Sequence, residues 1–563
     1  MVLLFEFHYT SQNGVLQSLL QAICEDFEIK YSINQSKTVV KLEVEAQEKE
    51  LENFSDFLSA RLPLSIFFKS SSVRVIDEFN ENSQTVNCSL TLPYTPKALQ
   101  EVQNKESHLY LSPFVKNEVG VSPFLEVQKL ELRDKSGFCM KTAQKDSNDF
   151  SQFYKEVINL LKSEKKVLIK SPAGNFVYSI VSSDNAKKVD TYTPVVATDL
   201  SSVEKMVVIK ENEIKALASL EKPAIRLKVN SLFEAKGILP FSRVKIQLAD
   251  DMLLYLLSQE AYKNGIEFLF KEEADKEYEY EVLTDTKVSQ IPSLEVCVLE
   301  NGEILILEGE GYSAPSIKEN MKKFDDTAYA QFTSVIQEHD LFQERVTGLY
   351  LSKIHDDKFM HISDKTGMLD LVSFRVEKSF EKIFESIKAS TTGAKLFENY
   401  EKQYPNLIKN ALEIDIPQNA SDSIYTMWKI CSVILGLSED FESAGEKLIE
   451  LAEDFGGQKG PRIDYTLLDP KALISQFDFI KMIRSSMSFK LAGADDKTLS
   501  FGFIEALAYF LSDCADFYKE NLTSERIVLC GSLFGIKRFC EVVARNTQST
   551  NKISFNKELP IDN

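Results

Sequence analysis

At 563 residues the chain is long enough for roughly three or four domains, each with a buried core. Its 85 Asp and Glu outnumber 65 Lys and Arg, and a formal charge of −20 excludes broad electrostatic binding of nucleic acid. The eight cysteines form no C-x-x-C pair, which fits free thiols in a reducing cytosol and a cytoplasmic location.

The opening Met-Val-Leu-Leu-Phe-Glu6 has no basic lead and reads as a first strand rather than a signal peptide. No apolar run reaches the ~18 residues needed to span a bilayer, so no membrane insertion is expected. Residues 1 to 76 read as a small α/β sandwich. Leu3 to Tyr9 is strand-like, and after Gly14 a helix carries Val15, Leu19, Leu20 and Ile23 on one face. Phe27 to Ile33 and Thr38 to Val44 form a hairpin around Asn34 to Lys37. Leu51, Phe54, Phe57 and Leu58 mark a second helix, and Ser65 to Phe68 with Val73 to Ile76 supplies further strand.

This β-α-β-β-α-β order resembles an acylphosphatase domain, a ferredoxin-like fold. The resemblance implies a phosphate cradle in Tyr9 to Leu16, with Asn34 as its side-chain partner. Leu16 or a neighbour stands where that family has an arginine, so nothing there neutralises a phosphate, and Asn34 is a vestigial position.

Residues 77 to 125 are polar, proline-rich and strand-poor, and read as a connector. Cys88 and His108 alone cannot make a four-ligand zinc site, so no metal is expected. From 126 to 310 the pattern is mixed α/β. Lys166 to Lys170 is a strand run, Thr193-Pro194 opens another, Glu204 to Ala218 reads as helix, and Lys222-Pro223-Ala-Ile-Arg226-Leu227 as strand. The succession resembles the YrdC-like domain of HypF, the carbamoyltransferase of [NiFe]-hydrogenase maturation. Thr193 replaces the family's lysine, and its S-G-N segment is absent from Phe268 to Glu273. A residual anion pocket from Lys170, Arg226 and Lys228 is the remaining candidate.

Gly311-Tyr312 and Ala314-Pro315 resemble the HypF linker, with Glu310 at its arginine position. In 316 to 563 strands precede helices. Gly348 to Ile354 and Lys358 to Ile362 read as a hairpin, followed by helices at Met427 to Leu437, Ala444 to Phe455, Leu473 to Ile483 and Phe503 to Tyr518. Ile527 to Cys530 is a strand that Gly531-Ser532 turns into a helix, a geometry suited to a phosphate. The segments Ser423 to Ala444 and Arg526 to Arg545 resemble the carbamoyl-transferring module of HypF. They imply a two-lobed actin/sugar-kinase-like domain with Gly531 and Ser532 as nucleotide cradle. The module's arginine and aspartate fall on Ser423 and Thr426, its His-Asn on Gly502 and Phe503, and its Gln-Asn on Gly535 and Ile536. Its two-histidine metal motif has no counterpart in the sequence.

The resemblance thus implies a multidomain α/β and α+β chain: acylphosphatase-like (1–76), connector (77–125), YrdC-like (126–310) and HypF C-terminal (311–563). Scaffold residues are kept and reactive ones replaced. That implies a non-catalytic relative, similar to the HydE-type accessory proteins of quinone-reactive hydrogenases, binding a hydrogenase subunit or maturation proteins. The alternative is a divergent carbamoyl or acyl transferase with ATP as its cofactor.

Overall fold

Alternating apolar residues set the first sheet. In the computed structural model, which describes residues 1–563 apart from 85, 87, 105–111, 122, 123, 125, 126, 146, 148, 287, 288, 310, 366, 549 and 563, the strands β1 (Val2–Tyr9), β2 (Lys30–Ser36), β3 (Val39–Glu45) and β4 (Phe68–Ile76) pair in the order β2-β3-β1-β4. All pairs are antiparallel. Helices α1 (Val15–Phe27) and α2 (Glu48–Arg61) complete the β-α-β-β-α-β order read from the sequence. Phe54 of α2 meets Phe5 of β1 edge to face at 6.1 Å, and burial of such side chains stabilises by roughly 2 kcal/mol each. Within Ser65 to Ile76 there is a single strand, β4, which begins at Phe68, and Asn34 lies on β2 rather than in the turn, which falls at Lys37 with φ +55°. His108 and Glu310 lie outside the described residues.

Contacts divide the chain into two units: 1–298 with 308–315, and 299–307 with 316–563. In the first, the stretch read as a connector holds α3 (Pro96–Asn104), whose Ala98 and Val102 enter a core with Phe150, Phe153 and Leu253. The strands β5 (Lys129–Asp134), β6 (Cys139–Gln144), β7 (Val167–Ser171), β8 (Gly174–Ile180), β9 (Pro194–Ala197), β10 (Ala224–Lys228), β11 (Arg243–Gln247), β12 (Phe268–Glu273), β13 (Tyr280–Thr284) and β14 (Glu295–Val298) make one mixed sheet. Their order is β14-β10-β11-β9-β12-β8-β7-β13-β5-β6. Its core is closed by α4 (Phe150–Lys162), which has an apolar face, and by helix Met252–Lys263. The helix expected over Glu204 to Ala218 is two, Leu200–Met206 and Glu211–Ala218. The break falls at Val207, extended and bridged to Val229.

In the second unit, which takes β15 (Ile304–Glu308) as far as residue 307, the later strands are β16 (Val346–Tyr350), β17 (Lys358–Ser363), β18 (Gly367–Ser373), β19 (Ser475–Gln476), β20 (Arg526–Cys530) and β21 (Lys552–Phe555). The six strands β16 to β21 pair in the order β19-β18-β17-β16-β20-β21. β16, β20 and β21 run parallel, while β17 is antiparallel to β16. Among the described residues this is the unit's one sheet of such size. Residues 380–453 keep an apolar period near 3.6 residues and are mostly helical, with helices such as Phe380–Lys388 and Ile424–Leu435. The helix expected at Leu473 to Ile483 starts later, as Phe479–Leu491, because Asp478 caps it by accepting the Lys481 N–H.

Candidate functional site

The site read from the sequence centres on the end of β20. The strand does not pass straight into a long helix: a single 3-10 turn, Ser532–Gly535, intervenes before helix Lys537–Thr547. Gly531 sits at φ +98° and ψ 152°, a backbone region that is almost exclusively glycine's. A Cβ there would lie 2.2 Å from the Leu351 carbonyl oxygen. The glycine therefore lets the β16–β17 turn close on β20, and the Leu533 N–H donates to that same carbonyl at 3.0 Å.

The sequence did not single out this facing turn, 351–357, where the N–H groups of Ser352, Lys353, Ile354 and His355 are answered from within the chain. The Ser352 N–H donates to Asp357 Oδ1 at 2.8 Å, and the Lys353 N–H to Ser532 Oγ at 2.8 Å. The Ile354 and His355 N–H groups both reach Ser352 Oγ, at 3.0 and 2.9 Å. Ser352 in turn donates its hydroxyl to Asp562 Oδ2 at 2.7 Å, and Tyr350 donates to Asp562 Oδ1 at 2.8 Å. Asp357 also accepts the Ile424 N–H at 2.6 Å, and burial raises its carboxyl well above the usual range. The Lys353 ammonium, a natural phosphate partner, instead donates to Glu446 at 2.8 Å, which also receives the Tyr425 hydroxyl at 2.9 Å.

A phosphate entering here would have to displace serine and carboxylate acceptors, then face Asp357 and Asp562 at close range. Ser532 is thus brought to the turn as a joint between strands, with its hydroxyl oxygen occupied. Ser423 caps helix Ile424–Leu435 by accepting the Thr426 N–H at 3.1 Å. Gly502 packs directly on Gly460 and Pro461, where no histidine side chain fits.

The other candidates have been drawn into similar internal joints or stand apart. In the Tyr9 to Leu16 loop, Asn13 Oδ1 accepts the Val15 N–H at 3.1 Å and Asn13 Nδ2 donates to the Tyr312 carbonyl at 3.1 Å. Leu16 is a buried core residue of α1. Asn34 Nδ2 donates to the Asn82 carbonyl at 2.7 Å, so it fastens the segment after β4 to β2. Lys170 on β7 and Arg226 on β10 are five strands apart along the order β10-β11-β9-β12-β8-β7, and Lys170 pairs with Glu281 at 3.2 Å. Arg226 lies over the Tyr192 ring at 4.9 Å, its Nε and Nη2 buried with no hydrogen-bond acceptor, and Lys228 is exposed. These three positions do not gather into one anion pocket. Where the resembling family has S-G-N, Lys271 forms a buried pair with Asp250 at 2.7 Å, and Lys166 pairs with Glu272 at 2.5 Å. Burial and the neighbouring Asp250 push the Asp251 carboxyl up to about 6. Among the described residues no three His, Cys, Asp or Glu come together to hold a metal ion. Nor is any helix long and apolar enough to cross a membrane.

No family model matches the chain. Protein HydE of Wolinella succinogenes is 26% identical over 532 residues, covering 92% of this chain and 91% of that protein. Two solved HypF structures superpose along almost its whole length. One is T. kodakarensis HypF, with a TM-score of 0.69 and 12% identity over 99% of this chain and 96% of that one. The chain has the HypF fold. The second is full-length HypF in its phosphate- and nucleotide-bound form, with a TM-score of 0.64 and 13% identity over 100% of this chain and 96% of that one. At these identities the HypF likeness carries architecture alone, while the likeness to HydE extends through the sequence.

Proposed function

We propose that the chain is a non-catalytic, HypF-related accessory factor that assists maturation or assembly of a [NiFe] hydrogenase by binding a hydrogenase subunit or maturation protein. In this reading residues 1–76 are acylphosphatase-like, 126–310 YrdC-like and 311–563 carbamoyltransferase-like. The supporting observation is the 351–357 turn: within a HypF fold, its donors are bonded to Asp357, Ser532, Ser352 and Asp562 of the same chain. A scaffold whose loops serve as internal joints still presents its exterior to a partner. Purification of the tagged full chain from its own cells should recover hydrogenase or maturation components. Repeated recovery of neither would defeat the proposal.

The second reading is a divergent nucleotide-dependent carbamoyl or acyl transferase, favoured by the glycine-built approach of Gly531 to the 351–357 turn. Calorimetry with ATP, ADP and carbamoyl phosphate separates the two readings. Heat at millimolar ligand supports the transferase, and its absence the accessory factor.

A further inference from the structure

Two consecutive buried carboxyls, Asp250 and Asp251, lie between β11 and helix Met252–Lys263. Asp251 Oδ1 accepts the Leu254 N–H at 2.8 Å and so caps that helix, while its Oδ2 accepts the Ala173 N–H at 3.2 Å from the turn between β7 and β8. Asp250 Oδ2 accepts from the Lys271 ammonium of β12 at 2.7 Å and from the Gln247 amide at 3.3 Å. Asp250 Oδ1 is buried and meets no donor. The two residues thus fasten the ends of β11 and β12, the β7–β8 turn and a helix N-terminus to one another.

Their charges do not balance. Among the described residues Lys271, with its side chain 4% exposed, is the one cation bonded to the pair, and its ammonium also lies over the Phe176 ring at 4.2 Å. The other titratable groups that face the two carboxyls are phenols: Tyr94, which donates to the Ala249 carbonyl at 3.1 Å, Tyr154 on α4, Tyr178 on β8, and Tyr312. Burial raises all four above the ordinary tyrosine range, so they stay neutral. With both carboxyls ionised, two negative charges would face one positive charge in a core that includes Ala249, Met252, Leu254 and Leu269. A buried pair of this kind retains one proton rather than a net charge, and the two carboxyls share its titration.

The direction of the effect follows. An aspartyl carboxyl in water titrates at 3.8, and within the cluster the proton on Asp251 is held up to about 6. Between those values the closed cluster keeps a proton that an opened, solvated one releases. Opening is therefore favoured as pH rises through this window, by at most about tenfold per pH unit, and closure is favoured as pH falls. Above the window both forms have lost the proton and the dependence ends.

We propose that Asp250, Asp251 and Lys271 form a proton-operated latch, which holds the Ser171–Gly174 turn against helix Met252–Lys263 while one proton sits on the pair and loosens it when that proton leaves. Outside the latch, the Ile291 N–H ties this turn to the unit by donating to the Pro172 carbonyl at 2.8 Å. The latch lies wholly within the first unit and is independent of the partner-binding reading.

Hydrogen exchange of the full chain, corrected for its intrinsic pH dependence, tests the latch. Peptides holding Ala173 and Leu254 should lose about tenfold in protection between pH 5 and 7.5, while α1 keeps its own. In Asp250→Asn, Lys271 answers Asp251 alone, and protection should be equal at the two pH values. In Lys271→Met the pair lacks its cation, and the loss should begin at a higher pH. Constant protection in the unaltered chain, an equal loss in α1, a tenfold loss that persists in Asp250→Asn, or an unmoved onset in Lys271→Met would each overturn the proposal. Should either variant fail to fold, the comparison of the two peptides with α1 in the unaltered chain still decides.

Discussion

Asp562 holds Ser352: its Oδ2 accepts the serine hydroxyl at 2.7 Å, while that serine's oxygen caps the N–H groups of Ile354 and His355. The chain thereby supplies the 351–357 turn with an acceptor of its own. Replacing Asp562 by Ala leaves the Tyr350 and Ser352 hydroxyls without their acceptor, and should cost about 1–3 kcal/mol in denaturant unfolding. An unchanged midpoint would mean that water serves the two hydroxyls equally well.

Gly531 is predicted to be the least replaceable residue of the turn. Ala there meets the Leu351 carbonyl and adopts a strained backbone, so a loss of roughly 3 kcal/mol or more, read as reduced soluble yield and melting temperature, is expected.

Glu221 ties the loop before β4 to the mixed sheet, accepting the Ser65 hydroxyl at 2.6 Å and the Ile66 N–H at 3.1 Å. It is buried, and burial raises its carboxyl above the ordinary range. Glu221→Ala should destabilise the first unit by about 3 kcal/mol. Limited proteolysis should then cut near residues 62–66, while the second unit stays intact.

His339 donates from Nε2 to the Phe555 carbonyl at 2.7 Å, and burial lowers its pKa to about 3 from 6.5. The folded form thus keeps the ring neutral where the unfolded chain would protonate it. Its contribution is fully present above pH 6.5 and is lost as pH falls toward 3, with a slope of at most about 1.4 kcal/mol per pH unit. His339→Gln should flatten the acid limb of the stability profile, by about 2 kcal/mol between pH 6 and 4. Parallel profiles for the two proteins would refute this.

Trp428, the single tryptophan, is fully buried and donates Nε1–H to the Tyr465 hydroxyl at 2.7 Å. Its emission should be blue-shifted in the native state and report unfolding of the second unit alone. Tyr465→Phe should lower that transition by about 1 kcal/mol.

Much of the architecture was legible because it depends on local periodicity. The βαββαβ order, the strand at Ile527 and the helix around Trp428 all follow from the spacing of apolar residues. What failed had no local signature. Lys170 and Arg226 share a charge sign, and only the strand order separates them. The saturated turn was invisible for a similar reason: Asp562 lies 210 residues from Ser352, and Asp357 lies 67 from Ile424. An aspartate bonded so far along the chain looks, in sequence, like any surface acid.

The way the 351–357 turn is closed also bears on mutational tolerance. Ser532, Asp357, Ser352 and Asp562 each answer a different donor, so replacing any one of them leaves the other bonds in place and strands a buried group. New chemistry at the turn needs several coordinated substitutions, each harmful alone, and the four residues therefore act as an interlock.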